Sequence, residues 1–196
     1  MASPGTIANT NKEPVWVVFN GVVLGFSEEG DITVTPTMDY VDRRFHQTGT
    51  FNLDHYFNGM QMEIQVNLAE VLNVDNWVVA FLPGQRQQDT STPTKKRFAF
   101  STIADPTLGL HVGKKATDEA AELKLIPGAS GSVPSTETDR DFFIPKAFCR
   151  NVGDILFSVS ANQSLPLTFS VLYDHAKTDG TNFAIFGREA GTWAAY

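Results

Sequence analysis

The chain is poor in cysteine and in positive charge. Its 196 residues contain one cysteine, Cys149, which excludes a disulfide framework or a four-cysteine metal site within the chain. The apolar residues beside it in "KAFCRNV" predict a buried structural thiol. Fifteen Lys and Arg stand against 22 Asp and Glu, a formal net charge of -7. This balance disfavours a basic surface for binding nucleic acid.

Long apolar runs are also missing. None approaches the ~18 residues that cross a bilayer, and the start "MASPGTIANTNKEP" lacks the basic and apolar regions of a signal peptide. We therefore expect a soluble chain with no membrane segment. The length suits one core, so a single domain over 1–196 is predicted. Residues 1–13 have few apolar anchors and predict either an N-terminal arm that a partner orders or a frayed terminus.

Sequence motifs for catalysis are absent as well. Neither G-x-x-x-x-G-K-[ST] nor G-x-G-x-x-G occurs, and "GASGS" is not followed by a predicted helix, as a nucleophile elbow would be. No two of the four histidines have the i,i+4 spacing of a helical metal site; they are His46, His55, His111 and His175. We expect no metal, no cofactor and no enzymatic activity, although two of the carboxylates could still converge in space.

What the chain does contain is strict alternation of apolar and polar residues. It is clearest in "GDITVTPTMDY", "MQMEIQVNLAE", "GDILFSVSA" and "LPLTFSVLYD", and period-two alternation is typical of strands with one buried and one wet face. In "VWVVFNGVVLGF" two apolar runs flank Asn20-Gly21, which predicts a hairpin with a type I′ turn. Shorter strands are predicted in "RFAFSTIA", "LGLHVG", "AELKLIPG" and "DFFIPKAFC". The chain is therefore predicted to be mainly β.

One helix and two long loops complete the predicted architecture. The spacing of apolar residues in "LAEVLNVDNWVVAFLPG" predicts a helix over 68–82, or a shorter one capped by Asp75. Adjacent charges and turn residues predict a loop over 41–58, and the polar stretch "QRQQDTSTPTKKR" predicts another over 84–97. The first loop mixes charge with aromatic side chains, as protein interfaces do. Its candidate subunit-interface residues are Arg43, Arg44, Phe45, Phe51, Tyr56 and Phe57.

The order of these pieces resembles the major tail tube proteins of long-tailed bacteriophages. The resemblance runs from about Val15 to Gly187 and is carried by "NGVVLGFSEEGDITVTPTMDY", "DHYFNGMQMEIQVNLAEV", "DFFIPKAF" and "LTFSVLYDHAKTDGTNFAIFG". This chain departs from the family pattern at "FHQTG" and in the loop from Gln85 to Arg97. The resemblance implies a two-sheet, sandwich-like or barrel-like β fold with one packed helix and long interface loops.

The same resemblance implies a structural role in the virion tail. Copies made in the host cytoplasm would form hexameric rings that stack into a hollow tube, through which DNA passes during ejection without specific binding and without catalysis. Expected partners are further copies of the chain and the tape measure, tail terminator, and tail tip or baseplate proteins. No membrane partner is implied.

The polar faces of the alternating strands suit a wall around DNA. They carry acids among Thr, Ser, Gln and Asn but no Lys or Arg, and a wall without cations would not hold phosphates by ion pairing. Six copies would then line a negatively charged channel. The predicted lumen-facing residues are Asp31, Thr33, Thr35, Thr37, Asp39, Gln61, Glu63, Gln65, Asn67, Ser158, Ser160, Thr168 and Ser170.

Two other interpretations stay open at this point. The polar faces could be the solvated side of an ordinary β-sandwich, although such strands commonly carry Lys. The chain could then be a different β-sandwich module of a virion, such as a capsid decoration or a tail-tip binding domain. An enzyme would need a concave pocket with converging polar groups.

Overall fold

A computed structural model describes residues 14–44, 52–68, 84–88, 96–100, 115–128, 141–152, 165–177 and 180–187. The chain is mainly β, as the alternation predicted. Its strands are β1 (Val15–Phe19), β2 (Val22–Arg44), β3 (Asn52–Leu68), β4 (Gly84–Gln88), β5 (Lys96–Phe100), β6 (Ala121–Pro127), β7 (Phe142–Val152), β8 (Leu165–Val171) and β9 (Ile185–Phe186). A four-residue helix, α1 (Ala116–Glu119), precedes β6.

Six of these strands form a closed antiparallel sheet. The order is β6-β1-β2-β3-β8-β7, and β7 pairs back onto β6 through Leu123 opposite Ile144 and Ala121 opposite Ala147. Strand β9 extends the β8 edge of β7, with Phe186 opposite Phe142. Strands β4 and β5 pair separately as a two-stranded hairpin. The described part of the chain is thus one sheet closed on itself plus this hairpin.

The core lies inside the closed sheet and is filled by alternate residues of its strands. In β8 every second side chain is buried, and β3 shows the same alternation from Met62 to Leu68. Phe169 of β8 and Phe19 of β1 are fully buried, with ring centroids 5.2 Å apart. Cys149 of β7 is buried, as predicted from its neighbours. Period-two patterning therefore determines which face of each strand enters the core.

The predicted hairpin between the first two strands is confirmed. Phe19 pairs with Val22, so Asn20 and Gly21 are the two central residues of the turn. Their φ angles are 51° and 72°, the left-handed values that a type I′ turn requires at both positions. Asparagine and glycine adopt these values most easily, which explains the local sequence.

The predicted loop over 41–58 is wrong at both of its ends. Strand β2 continues to Arg44 and β3 begins at Asn52, so residues 41–44 and 52–58 pair as strands, and 45–51 lie outside the described residues. The polar residues are accommodated within the ladder because Asp42 stands opposite His55 and accepts a hydrogen bond from it, while Arg43 and Asp54 are directly opposed residues of opposite charge type. Asn58-Gly59 is not a turn: the register shift there makes Asn58 the extra residue of a β-bulge.

The predicted loop over 84–97 is also wrong in part, because 84–88 and 96–97 are strand; 89–95 lie outside the described residues. The predicted helix over 68–82 cannot be compared beyond Leu68, which ends β3, since 69–83 are likewise outside them. The short helix α1 stands where no helix was predicted. None of the described helices is long and apolar enough to cross a membrane.

The left-handed turn gives a stability prediction with an internal control. Gly21→Ala should lower the free energy of unfolding by about 1 kcal/mol, because a Cβ disfavours positive φ, while nothing lies within 4 Å of that Cβ to clash. Gly59→Ala is the matched control, since its added Cβ also meets nothing within 4 Å and its φ is not left-handed. It should leave stability unchanged or raise it by about 0.5 kcal/mol. Urea unfolding of both variants checks the pair, and equal losses would contradict the turn assignment.

Candidate functional site

A continuous polar face covers the outside of the closed sheet where β2, β3 and β8 run side by side. Thr33, Gln65 and Thr168 form one row of directly opposed residues. Thr35, Glu63 and Ser170 form the next row. Because opposed residues project to the same side of a sheet, these side chains make one surface. Around the first row a shallow depression of about 150 Å³ also touches Asn67 and Pro166.

Most of the predicted lumen-facing residues lie on this polar face. The exposed ones are Thr33, Thr35, Thr37, Asp39, Gln61 and Gln65, and the half-buried ones are Glu63, Asn67, Thr168 and Ser170. Asp31 is in β2, but its side chain is outside the described set, and Ser158 and Ser160 lie outside the described residues altogether. The alternation thus predicted residues of three strands, distant in sequence, that strand pairing places side by side. That they line a channel stays a prediction.

Strand β7 adds an arginine to the polar face that the sequence did not predict there. Arg150 is exposed, and a register shift between Cys149 and Asn151 makes it the extra residue of a bulge beside β8. Bulges commonly redirect a side chain. Arg150 Nη1 lies 2.5 Å from Glu63 Oε1, so the pair crosses β8 to join β7 with β3. The span is two strand spacings, about 10 Å, which the arginine and glutamate side chains cover together.

A second base approaches the same side of β7. Lys146 precedes the buried Ala147 and is itself half-buried, so it alternates outward with Phe148, which is opposite Ser170. With β7 included, the described ionisable side chains of the polar face include acids and bases, among them Asp39, Glu63, Lys146 and Arg150. The absence of Lys and Arg therefore holds for β2, β3 and β8, but not for the whole face.

The far ends of β2 and β3 form an arm that extends past the core. We define the arm as residues 36–44 and 52–61. Strand β1 pairs with β2 only as far as Phe26, and β8 pairs with β3 only from Glu63 onward, so both edges of the arm lack a partner among the described strands. Among the described side chains of β3, which run from 54 to 68, Met62 is the last that is buried. Beyond it, every described side chain of the two strands is exposed or half-buried.

The arm nevertheless continues the apolar pattern of the core strands. Six of the ten large apolar side chains that are exposed among the described residues are on the arm: Met38, Tyr40, Phe57 and Met60 on the side of the core face, and Val41 and Tyr56, which oppose each other, on the other side. Met38 opposes Met60, and Tyr40 opposes Phe57 with ring centroids 5.8 Å apart. Phe57 is 60% exposed and Met38 is 56% exposed. Apolar side chains clustered at this exposure are typical of an interaction site.

The predicted subunit-interface residues fall mostly on this arm. Tyr56 and Phe57 are exposed there on β3. Arg43 and Arg44 end β2, with side chains outside the described set, and Phe45 and Phe51 lie outside the described residues. Sequence reasoning missed Met38, Tyr40 and Met60, which the alternation assigned to a core. The length of β2 and β3 relative to their neighbours was the missing information.

Polar contacts give the arm a defined geometry. Asp39 accepts a hydrogen bond of 2.6 Å from Asn58 Nδ2 across the bulge. Near the far end, Asp42 accepts one of 2.7 Å from His55 Nδ1, and Asp54 accepts one from the His55 backbone N–H. These acids and His55 are exposed. Within the described ranges no three His, Cys, Asp or Glu side chains cluster as metal ligands would.

Comparisons with known proteins add little to this picture. No protein-family model matches the chain, and no curated protein matches it. Among solved structures, the chain is similar to one in the "Cryo-EM structure of the anti-feeding prophage (AFP) baseplate, 6-fold symmetrised", with 12% identity and a TM-score of 0.38. The match covers 89% of this chain and 94% of that one. A likeness at this level carries no argument about fold or function.

The ion pair across β8 should be weak and sensitive to salt. A double-mutant cycle with Glu63→Gln and Arg150→Gln should give a coupling energy of about 0.2–1 kcal/mol, the range for exposed pairs. Raising the salt concentration should reduce the coupling through screening. The Lys124–Glu122 pair on β6, with 2.9 Å between its charged atoms, provides a reference pair whose base is less exposed, at 32% for Lys124 against 63% for Arg150. The free energies of unfolding of the single and double variants, measured in low and in high salt, give the coupling energy of each pair. A coupling energy of zero for Glu63 and Arg150 at low salt would contradict the contact.

Proposed function

We propose that this chain is a non-catalytic structural protein of a phage tail, whose copies form hexameric rings that stack into a tube. In this proposal the polar face lines the channel for DNA, and the arm joins neighbouring copies. Partners would be further copies of the chain and the proteins that end or fill the tube. The observation that carries the proposal is the arm.

Among the described residues, the arm has no strand beside it and no core beneath it. A two-stranded ribbon is marginally stable in water unless something packs on it. This one exposes Met38, Tyr40 and Phe57 on the side that continues the core face, and its two edges have no partner among the described strands. Burying such side chains contributes about 1.5–3 kcal/mol each. A neighbouring copy that covers the arm would supply that stabilisation.

The directional shape of the molecule supports repeated assembly. The arm extends from one end of β2 and β3, whereas the closed sheet holds the core at the other. An arm on one copy that contacts the closed sheet of the next makes a heterologous contact. Such contacts close into rings when the rotation closes, and they continue as open filaments when it does not. Rings that stack into a tube combine both cases.

The polar face supports a channel rather than a binding groove. Its rows are threonine, serine and glutamine around the Glu63–Arg150 ion pair, so water wets the surface, and the further base on the face, Lys146, is half-buried. Phosphate contacts by Lys and Arg dominate the affinity of proteins for DNA. A face whose central arginine is already paired would let DNA move past it.

Assembly of the purified chain tests the proposal directly. Negative-stain microscopy should show hexameric rings or hollow tubes, and sedimentation should show growth with protein concentration. A chain that remains monomeric at high concentration in every salt would overturn the proposal. Binding to capsids or to a surface receptor without tubes would favour a decoration or tail-tip module instead.

Substitutions on the arm should separate assembly from folding. The double variant Tyr40→Thr, Phe57→Thr should change the free energy of unfolding of the dispersed chain by no more than about 0.5 kcal/mol, because exposed positions contribute little and threonine suits strands. It should form no tubes. Val23→Thr changes an exposed apolar residue of β2 outside the arm and should assemble as the unmodified chain does. Equal assembly of both variants would argue against the arm as the joining surface.

A further inference from the structure

Arg150 stands out on the polar face because its side chain suits a phosphate. A guanidinium presents several N–H donors in a planar fork that matches phosphate oxygens. Arg150 is more than half exposed, and the outward-facing β8 residues on either side of it, Thr168 opposite Asn151 and Ser170 opposite Phe148, have short side chains. A DNA backbone lying on the face could therefore reach this group.

Glu63 is in the position that a phosphate would otherwise take. Its Oε1 accepts the hydrogen bond from Arg150 Nη1 across β8. The other carboxylate described on the face, Asp39, lies four residues along β2 from Thr35, the residue opposite Glu63. At about 3.3 Å per residue this is roughly 13 Å away, and Asp39 is hydrogen-bonded to Asn58. No described carboxylate of this face could replace Glu63.

We infer that Glu63 is a specificity-determining residue that occupies Arg150 and thereby keeps its guanidinium from binding the phosphates of nucleic acid. This inference deepens the proposed function and rests on it for its meaning, because a pathway for DNA needs a wall that does not retain DNA. The chemistry itself concerns only two side chains of one copy. It can be measured without any assembly.

The first experiment uses the full chain dispersed at low concentration. Inorganic phosphate is added at constant ionic strength while the arginine Nε–Hε signals are followed by NMR, with Arg150→Gln used to assign the Arg150 signal. In the unmodified chain that signal should shift only at high phosphate concentration. In Glu63→Gln the same shift should occur at lower phosphate, with an apparent affinity about 1.4- to fivefold higher, which is the strength of an exposed ion pair expressed as a ratio.

Asp39→Asn is the matched control for the loss of one negative charge. It removes a carboxylate from the same face but releases no arginine, so it should leave the apparent phosphate affinity of the Arg150 signal the same as in the unmodified chain. The backbone spectrum of each variant verifies folding. An equal response in Asp39→Asn and Glu63→Gln would overturn the inference, as would an unresponsive Arg150 signal in Glu63→Gln.

The second experiment uses assembled protein and a fluorescent DNA duplex. Tubes of Glu63→Gln should retain the duplex at low salt and release it as salt rises, as phosphate contacts do. The double variant Glu63→Gln, Arg150→Gln should retain none. If no tubes form, the proposed function fails, while the phosphate titration still decides the role of Glu63. If tubes of the double variant retain as much DNA as Glu63→Gln, the inference fails and the tube remains.

Discussion

The pairing of β6 with β7 is the contact on which the rest of the structure depends. It closes the sheet, and a closed sheet of six strands has one interior that side chains can fill. Every strand must then send alternate residues inward, and the others necessarily face outward. The polar face is therefore the second half of the same pattern that packs Phe169 and Ile64 in the core. The composition of the polar face and the packing of the core are coupled through strand register, because a one-residue slip would exchange the two faces.

Closure also limits how much of each strand the core can cover. Strands β2 and β3 have 23 and 17 residues, whereas β1, β6 and β8 have between 5 and 7. The residues of β2 and β3 that extend past their shorter neighbours form a two-stranded ribbon outside the closed sheet, and the alternation of apolar residues continues along it. Met60 and Met62 are two residues apart on one face of β3, yet Met62 is buried and Met60 is exposed. The core ends between them. The described residues therefore leave the apolar side chains of the arm exposed, and only a partner that covers the arm would bury them.

Sequence reasoning succeeded where a signal was local. The alternation of β3 and β8 and the Asn20-Gly21 turn depend on neighbouring residues alone, and both were predicted. It failed at 41–58, because Asp42 and Arg43 look like a loop until their strand partners His55 and Asp54 are known. Asn58-Gly59 resembles a turn in the same way, although Asn58 occupies a bulge. Charges and turn residues indicate a loop only when no opposing strand compensates them.

Arg150 was missed for a related reason. Its neighbours in "KAFCRNV" do not show to which surface β7 belongs, because that depends on the pairing of β7 with β8 and on a bulge at Arg150 itself. A feature created by two non-local events leaves no pattern in the sequence. The predicted residues on β2, β3 and β8 could be grouped because each strand alternates without interruption. Arg150, which changes the electrostatics of the face, comes from β7, whose alternation is interrupted by a bulge.

The charges of the polar face bear on how such a wall could work. Where β3 and β7 flank β8, the face carries one acid and one base, Glu63 and Arg150, in contact with each other. Strong negative charge along a narrow wall would repel DNA, and free cations would hold it through counterion release. A wall of hydroxyl and amide groups with a compensated arginine does neither. If the face lines a channel, low friction comes from local neutralisation at Glu63 and Arg150 rather than from the overall acidity of the protein. A polyanion lying on the polar face interacts mainly with charges within about one Debye length, about 8 Å at physiological salt. Charges on the face therefore affect it more than charges elsewhere in the protein.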